Sequence, residues 1–188
     1  MERADRELEA PLGRDRIRRI YDHIGRRYDL LRFAEAEPKR VALALLALRP
    51  GERVLEVGVG TGAVLVELAQ AAIAGEIAEG EQAVGGIDLS PGMLAVARER
   101  LTAAGLADAV ELREGDATAL PYPDEAFDVA FCSYVLDLLP SAEINRALAE
   151  LRRVLRPGGR LALVALSPGD GGVRARLFTR LYLSLIHI

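Results

Sequence analysis

Apolar residues along the chain form short continuous runs that alternate with longer runs of helical spacing. The continuous runs are typical of strands buried on both faces, and they cover Arg53–Val57, Val84–Leu89, Val110–Arg113, Phe127–Ser133 and Arg160–Leu166. The runs with helical spacing cover Glu35–Leu48, Ala63–Ala72, Pro91–Ala104 and Ala142–Leu155. Strands separated by single helices predict right-handed crossovers. We therefore expect an α/β fold with a doubly wound, mostly parallel sheet of five strands.

The chain before these elements has a different pattern. Residues 1–12 are dense in charge and predict a loose arm. Between Asp15 and about Phe33, helical spacing relates Tyr21, Ile24, Tyr28 and Leu31. We predict that residues 1–34 form an N-terminal arm and helix, and that residues 35–188 form a single domain.

Composition narrows the classes of function. The net charge of −4 gives no basic face for a nucleic-acid partner. The single cysteine, Cys132, and two distant histidines, His23 and His187, exclude a disulfide and a thiolate cluster, and we predict no metal site. The charged N-terminus is unlike a signal peptide and no apolar run reaches the length of a membrane span, so we expect a cytoplasmic protein.

The first strand leads into a glycine-rich turn. Gly58 and Gly60 allow a sharp turn and a close approach to a ligand, and Gly62 lets the next helix begin beside it. The helix N-terminus favours an anionic group such as a carboxylate. The spacing also fits the dinucleotide fingerprint. Glu56, two residues before the turn, would repel a pyrophosphate, and a buried acid is costly unless it has a function.

Further polar groups follow the next two strands. Asp88 ends the second strand, where a carboxylate can accept from both hydroxyls of a ribose, a role common to enzymes of several cofactors. Asp116 follows the third strand and is either an acceptor for an adenine amine, beside the N–H of Ala117, or a solvated loop residue. We interpret Ser90 as a helix cap, and Met93 as either an adenine contact or a core residue.

Four motifs occur in an order that resembles the methyltransferases that use S-adenosylmethionine (SAM), of the ubiquinone/menaquinone-biosynthesis type. They are the glycine turn, Asp88, the segment after the third strand, and Leu120–Asp128, which is similar to the family's LPFPDxxFD segment. The turn before the fifth strand, at Arg156–Arg160, is also similar, and we expect Gly158 or Gly159 to end the preceding helix. The resemblance extends from about Tyr21 to Ser167.

The resemblance implies a Rossmann-like methyltransferase fold with SAM as cofactor and a small, lipophilic methyl acceptor. It implies cofactor contacts at Glu56, Gly58, Gly60, Thr61, Gly62, Asp88, Leu89, Met93, Asp116, Ala117 and Ser133. It also places Tyr28 in a helix that lies over the cofactor as part of a substrate lid.

The chain departs from the quinone enzymes after Ser133, where their Gly-x-Arg-Asn signature is replaced by Tyr134–Asp137. Quinone-like C-methylation and methylation of a phospholipid or another small molecule therefore both stay open. If the acceptor must lose a proton, the candidate bases are Asp137, Tyr134 and His23.

Two alternative functions remain. An NAD-dependent oxidoreductase would use the same glycine turn, but its Tyr-x-x-x-Lys apparatus is not evident, because the only lysine, Lys39, precedes the first strand. The other is a non-catalytic SAM-binding fragment.

The chain also departs from the family near its C-terminus. The family's sheet has seven strands, of which the last two form an antiparallel hairpin, whereas this sequence stops at Ile188 within a preceding amphipathic stretch that starts at Val173. We expect a truncated domain without the hairpin, whose fifth strand leaves an unpaired edge that favours self-association. Peripheral membrane contact stays open as well.

Overall fold

Helices and strands alternate along the residues that this computed structural model describes, which are 13–24, 32–74 and 83–165. The helices of that part are α1 (Arg14–Ile24), α2 (Arg32–Leu46), α3 (Ala63–Ala72), α4 (Pro91–Ala103) and α5 (Ser141–Val154). The strands are β1 (Val54–Val57), β2 (Val84–Asp88), β3 (Val110–Glu114), β4 (Phe127–Ser133) and β5 (Leu155–Val164). Each predicted strand is present, and the predicted fold class is confirmed.

The strands of the described residues form one parallel sheet in the order β3-β2-β1-β4-β5. Leu55 of β1 is paired with Gly85 of β2 on one side and Ala130 of β4 on the other. The chain thus builds outward from β1 to β3 and then returns to the other side of β1. This reversal of strand order opens a crevice at the carboxyl ends of β1 and β4, where ligands bind in sheets of this kind.

Helices cover both faces of the sheet, which explains why its central strands β1 and β4 are buried along their whole length. On one face, α2, α3 and α4 pack on the sheet through the core residues Ala42, Leu46, Leu65, Leu68, Leu94, Ala97 and Leu101. On the other face, the core contains Leu151 and Val154 of α5, Leu120 and Tyr122 of the segment before β4, and Phe127 at the start of β4. No helix of the described residues is long and apolar enough to cross a bilayer.

Two helices cover the described part of the N-terminal region, where the sequence shows helical spacing between Asp15 and about Phe33. Helix α1 ends at Ile24, and α2 begins at Arg32, so α2 crosses the boundary that the sequence predicts between residues 34 and 35. Glu35, Ala42 and Leu46 are buried on one face of α2, and the division of the chain between residues 34 and 35 stays a prediction. Tyr28 lies outside the described residues.

The connection between α5 and β5 also differs. The sequence predicts that Gly158 or Gly159 ends the helix, but α5 ends at Val154 and β5 starts at Leu155. Gly158 does have a positive φ of 77°, within a register shift: Leu155 pairs with Phe127, and Arg160 pairs with Val129. Because five residue steps of β5 oppose two of β4, the strand must bulge, and a glycine permits the bend.

Strand β5 forms an edge of the described sheet. Its alternate residues Leu161 and Leu163 are 37% and 42% exposed, whereas Ala162 and Val164 pack against the core below α2. The stretch from Val173 onward lies outside the described residues. Self-association through this edge therefore stays a prediction.

Candidate functional site

A cavity opens at the carboxyl ends of β1, β2, β3 and β4, and α1 forms one of its walls. Most of the residues predicted to bind a cofactor line it: Glu56, Gly58, Gly60, Thr61, Asp88, Leu89, Met93, Asp116, Ala117 and Ser133. Gly62 does not line the cavity. The fold thus brings together side chains that follow four different strands, although their individual roles as cofactor contacts remain predictions.

The three glycines of the turn all have positive φ angles, but their surroundings differ. At Gly58, an added Cβ would clash with the side chain of Val135, and at Gly62 it would lie 2.8 Å from Ala97 Cβ of α4. Gly60, with a φ of 51°, has nothing within 4 Å of that position. Gly58 and Gly62 are therefore required by packing, whereas Gly60 leaves free space beside the backbone in the cavity wall.

Glu56 is 2% exposed, and its Oε2 atom has no hydrogen-bond partner among the described residues. Burial raises the pKa of this carboxyl well above its usual range, because a charge without a partner is costly away from water. An unpartnered buried oxygen in a cavity wall is a group that a bound donor or cation would satisfy.

Asp88 has a different environment from Glu56. Its Oδ2 accepts from the amide of Gly60 at 2.8 Å, and its Oδ1 accepts from the amide of Ser90 at 2.9 Å. Burial raises the pKa of Asp88, and these amides act in the opposite direction. The carboxylate is therefore fixed in orientation, with lone pairs left for a ligand.

Asp116 is also fixed. Its Oδ1 accepts from the amide and the hydroxyl of Thr118 at 2.8 and 2.9 Å, and its Oδ2 pairs with Arg14 at 2.9 Å. Arg14 also reaches Glu143 of α5 at 3.0 Å. Asp116 is thus held by neighbouring side chains in the cavity wall, and its role as an adenine contact stays a prediction.

Helix α1 contributes residues to the cavity that the sequence did not reveal. Arg14, Ile17, Arg18 and Tyr21 line the cavity, whereas the resemblance assigns the lid to Tyr28. Their positions share one helix face, and that spacing is the signal that could have found them. Asp22 holds the helix in place, because it accepts from the hydroxyl of Ser90 and the amide of Gly92.

Ser90 therefore has two roles. Its hydroxyl oxygen accepts from the amide of Met93 at 3.1 Å, which confirms the predicted helix cap. The same hydroxyl donates to Asp22 at 2.5 Å and so joins α4 to α1. Met93 is 1% exposed and lies beneath the cavity.

The end of the cavity next to β4 is formed by Ser133, Tyr134 and Lys39. Tyr134 has a φ of 58°, a left-handed conformation that costs free energy for a non-glycine residue and often marks a functional site. The Nζ atom of Lys39 lies 5.3 Å from the centroid of the Tyr134 ring and 2.7 Å from Glu35 Oε2. No sequence motif marks Lys39 as part of a site, because it lies on a helix far from the strand ends.

The three candidate bases differ in position. Tyr134 lines the cavity, but burial, followed by the nearby Glu35, raises its pKa to about 12. Asp137 and His23 are exposed and are not part of the cavity wall. The role of any of the three as a base stays a prediction.

The segment Leu120–Asp128 packs the core. Tyr122 and Phe127 make an edge-to-face contact with ring centroids 5.0 Å apart. Asp128 Oδ2 accepts from the amide of Arg53 at 2.7 Å, which fixes β4 beside the start of β1. The segment that resembles the family's LPFPDxxFD pattern thus stabilises the sheet that carries the cavity.

Comparisons with known proteins agree with this arrangement. Residues 54–159 match the family described as methyltransferase domain. The chain is 34% identical over 169 residues to the demethylmenaquinone methyltransferase of Symbiobacterium thermophilum, covering 86% of this chain and 64% of the relative. It is 40% identical over 135 residues to the phosphatidylethanolamine N-methyltransferase of Cereibacter sphaeroides, covering 72% of this chain and 60% of the relative.

A solved structure supports the same assignment. The SAM-dependent methyltransferase of Aquifex aeolicus matches with a TM-score of 0.56 and 27% identity, covering 80% of this chain and 76% of that one. The chain spans about 64% of the length of the demethylmenaquinone methyltransferase.

Proposed function

Because the chain belongs to the methyltransferase domain family of SAM-dependent enzymes, we propose that it transfers a methyl group from SAM to a small lipophilic acceptor. The observation that carries the proposal is the unpartnered, buried Oε2 atom of Glu56 in the cavity wall. SAM carries an ammonium and a sulfonium, and a cationic group placed there would satisfy this carboxyl. An anionic pyrophosphate, which NAD requires, would be repelled.

The other residues of the cavity fit the rest of SAM. Asp88 would accept from the ribose hydroxyls with the lone pairs that its two backbone bonds leave free. Asp116 and Ala117 would face the adenine, and Gly60 would let the backbone approach the ligand. Glu56 would face the methionine end.

The protein's chemical task in this reaction is small. When bound, SAM would supply an activated methyl group for transfer to the acceptor. The residues around the cavity therefore need to align the acceptor and exclude water, which can lower a barrier by roughly 7–11 kcal/mol in favourable cases. Tyr134 lines the acceptor end of the cavity, and burial raises its pKa to about 12, so its phenol is protonated near neutral pH.

The acceptor end of the cavity favours a lipophilic molecule. Val135, Leu138 and Leu139 line this end beside Ser133 and Tyr134. The named relatives act on demethylmenaquinone and on phosphatidylethanolamine, which are both lipids. A quinol and a phospholipid amine are therefore the two acceptor classes to compare.

The location of the protein is a separate proposal. We place it in the cytoplasm with peripheral contact to the membrane that holds the acceptor. Val41 and Leu45 of α2 are 45% and 79% exposed, and they offer apolar surface for such contact. Flotation with lipid vesicles should recover the protein with the vesicle fraction, and recovery in the soluble fraction alone would contradict the proposal.

Calorimetric titration with S-adenosylhomocysteine, SAM and NAD tests the function. We expect binding of the first two ligands and none of NAD. Radiolabelled SAM with a demethylated quinol or with phosphatidylethanolamine vesicles then identifies the acceptor. Binding of NAD alone would indicate the oxidoreductase, and cofactor binding with no transfer to either class would favour the non-catalytic alternative.

A further inference from the structure

Lys39 is a partly buried cation that pairs with Glu35 and lines the same cavity as Glu56. It is the only lysine of the chain, and its side chain is 19% exposed. Glu35, one turn earlier on α2, is 1% exposed and holds the ammonium at 2.7 Å. The ring of Tyr134 lies on another side of that ammonium. Lys39 therefore has a fixed position in the cavity wall that also contains Glu56.

Charged and titratable groups face Glu56 from the elements around it. Asp88 of β2 and Glu67 of α3 raise the pKa of Glu56, in addition to the larger effect of burial. Lys39 of α2 lowers it and is the only cation among the described residues that does so. Cys132 of β4 stays a neutral thiol near neutral pH, because burial raises its pKa to about 12. Lys39 is thus the group that opposes the neutral form of Glu56.

We propose that Lys39, held by Glu35, is a positioning residue that sets the protonation of Glu56, so that cofactor binding releases the proton of this carboxyl. The inference rests on the proposed function, because it takes the ligand to be SAM or its product. Without a ligand, an enclosed carboxyl that has one unpartnered oxygen and two acidic neighbours favours its neutral form. A ligand ammonium beside it favours the carboxylate. The O–H bond of Glu56 then breaks, and the proton passes to the solvent.

The proposal gives the affinity a pH dependence with a definite sign. Below the pKa of Glu56 in the free protein, binding must remove a proton, so affinity rises with pH until that value is passed. Removal of the Lys39 charge raises this pKa further. Lys39→Met should therefore move the rise in affinity to higher pH. Below the rise, a midpoint that lies one pH unit higher corresponds to an affinity about tenfold lower at the same pH.

Calorimetric titration with S-adenosylhomocysteine tests the proposal between pH 6 and 9. Titrations in two buffers of different ionisation enthalpy give both the affinity and the number of protons released. In Lys39→Met, the rise in affinity and the proton release should both have a midpoint at higher pH than in the unmodified chain. Lys39→Arg retains the charge and should restore both values. Arg40→Met is the matched control, because it removes the adjacent positive charge of α2, which points away to its exposed pair with Glu37.

Glu56→Gln separates this carboxyl from Asp88, whose pKa is also raised by burial. It should bind more weakly and release no proton. If the unmodified chain binds without releasing a proton at any pH, the proposal is overturned while the proposed function stands. The same holds if Lys39→Met weakens binding with an unchanged midpoint and proton count, since that pattern indicates a structural role alone. Absence of any binding by the unmodified chain would overturn the proposed function itself.

Discussion

The amide of Gly60 donates a hydrogen bond to Asp88 Oδ2 at 2.8 Å, which joins the glycine turn after β1 to the acid that ends β2. The other oxygen of the same carboxylate accepts from Ser90 at the start of α4. A single side chain therefore fixes the backbone on both sides of the crevice. Two motifs that are 28 residues apart in sequence act as one unit in the site.

Asp88→Ala should weaken binding of S-adenosylhomocysteine by about tenfold or more, because a hydrogen bond to a charged group contributes on the order of 1.5–3 kcal/mol. It also removes the acceptor of the Gly60 amide. Asp88→Asn keeps one acceptor oxygen and should have an intermediate affinity. Calorimetric titration measures both, with thermal denaturation as the control for folding. Normal binding by Asp88→Ala would exclude the ribose role.

The residues that could be predicted from the sequence follow strand ends. Glu56, Asp88, Asp116 and Ser133 could be found because a parallel sheet places the carboxyl ends of its strands at one edge, so their local position implies their neighbours. The positions of these four residues follow from the order of strands and helices along the chain.

The contacts made by helices could not be predicted in the same way. Arg14 reaches Asp116, and Lys39 lies beside Tyr134, through tertiary packing that joins distant parts of the chain. Neither pair belongs to a motif, and a lone charged residue on a helix is usually exposed. The base candidate His23 shows that rule, since it is exposed on α1. The packing of α1 and α2 against the other elements depends on tertiary structure, which the sequence pattern alone does not specify.

Alanine substitutions at Gly60 and at Gly58 distinguish an effect on ligand binding from an effect on packing. Gly60→Ala has open space for its Cβ, so it should lose only about 1–2 kcal/mol of stability from its positive φ, but most of its affinity for S-adenosylhomocysteine. Gly58→Ala should lose about 2–5 kcal/mol, because it also overlaps Val135. Denaturant unfolding measures the stabilities. Val135→Ala should partly restore Gly58→Ala, and the absence of any rescue would contradict the packing explanation.

Arg14 should control how long the cofactor stays bound. It joins α1 to Asp116 and Glu143 across the cavity, so Arg14→Met should increase the dissociation rate of S-adenosylhomocysteine several-fold. Stopped-flow displacement measures this rate. Arg19→Met is the control, since it removes the same charge from an exposed position of α1 outside the cavity wall. Equal rates in the two variants would show that α1 does not close the site.

Glu52 and Arg160 should make stability depend on acid pH. Glu52 Oε2 accepts from Arg160 at 2.6 Å and from the amide of Arg49 at 2.8 Å. Burial raises the pKa of Glu52, but these bonds together lower it below its ordinary value of 4.5. The stabilisation is therefore present above that value and is lost as pH falls through the lower folded value.

Glu52→Gln should consequently destabilise the protein by about 1–3 kcal/mol near neutral pH and by less in acid. Urea unfolding at pH 7 and at pH 4 or below measures the difference between the two proteins. Glu37→Gln, in an exposed pair with Arg40, is the control and should change little at either pH. A constant difference across this range would show that the Glu52 charge is not responsible.

Strand β5 should determine whether the chain self-associates. It lies at an edge of the described sheet, and the side chain of its residue Leu163 is 42% exposed. An accessible strand edge with apolar side chains is a template for a strand of another molecule, whereas a lysine at such an edge opposes pairing. Size-exclusion chromatography with light scattering should show oligomers that increase with concentration, and Leu163→Lys should reduce them. Leu45→Lys places the same charge on the exposed face of α2 and should leave them unchanged. A monomer at every concentration, or an equal effect of the two substitutions, would contradict pairing through β5.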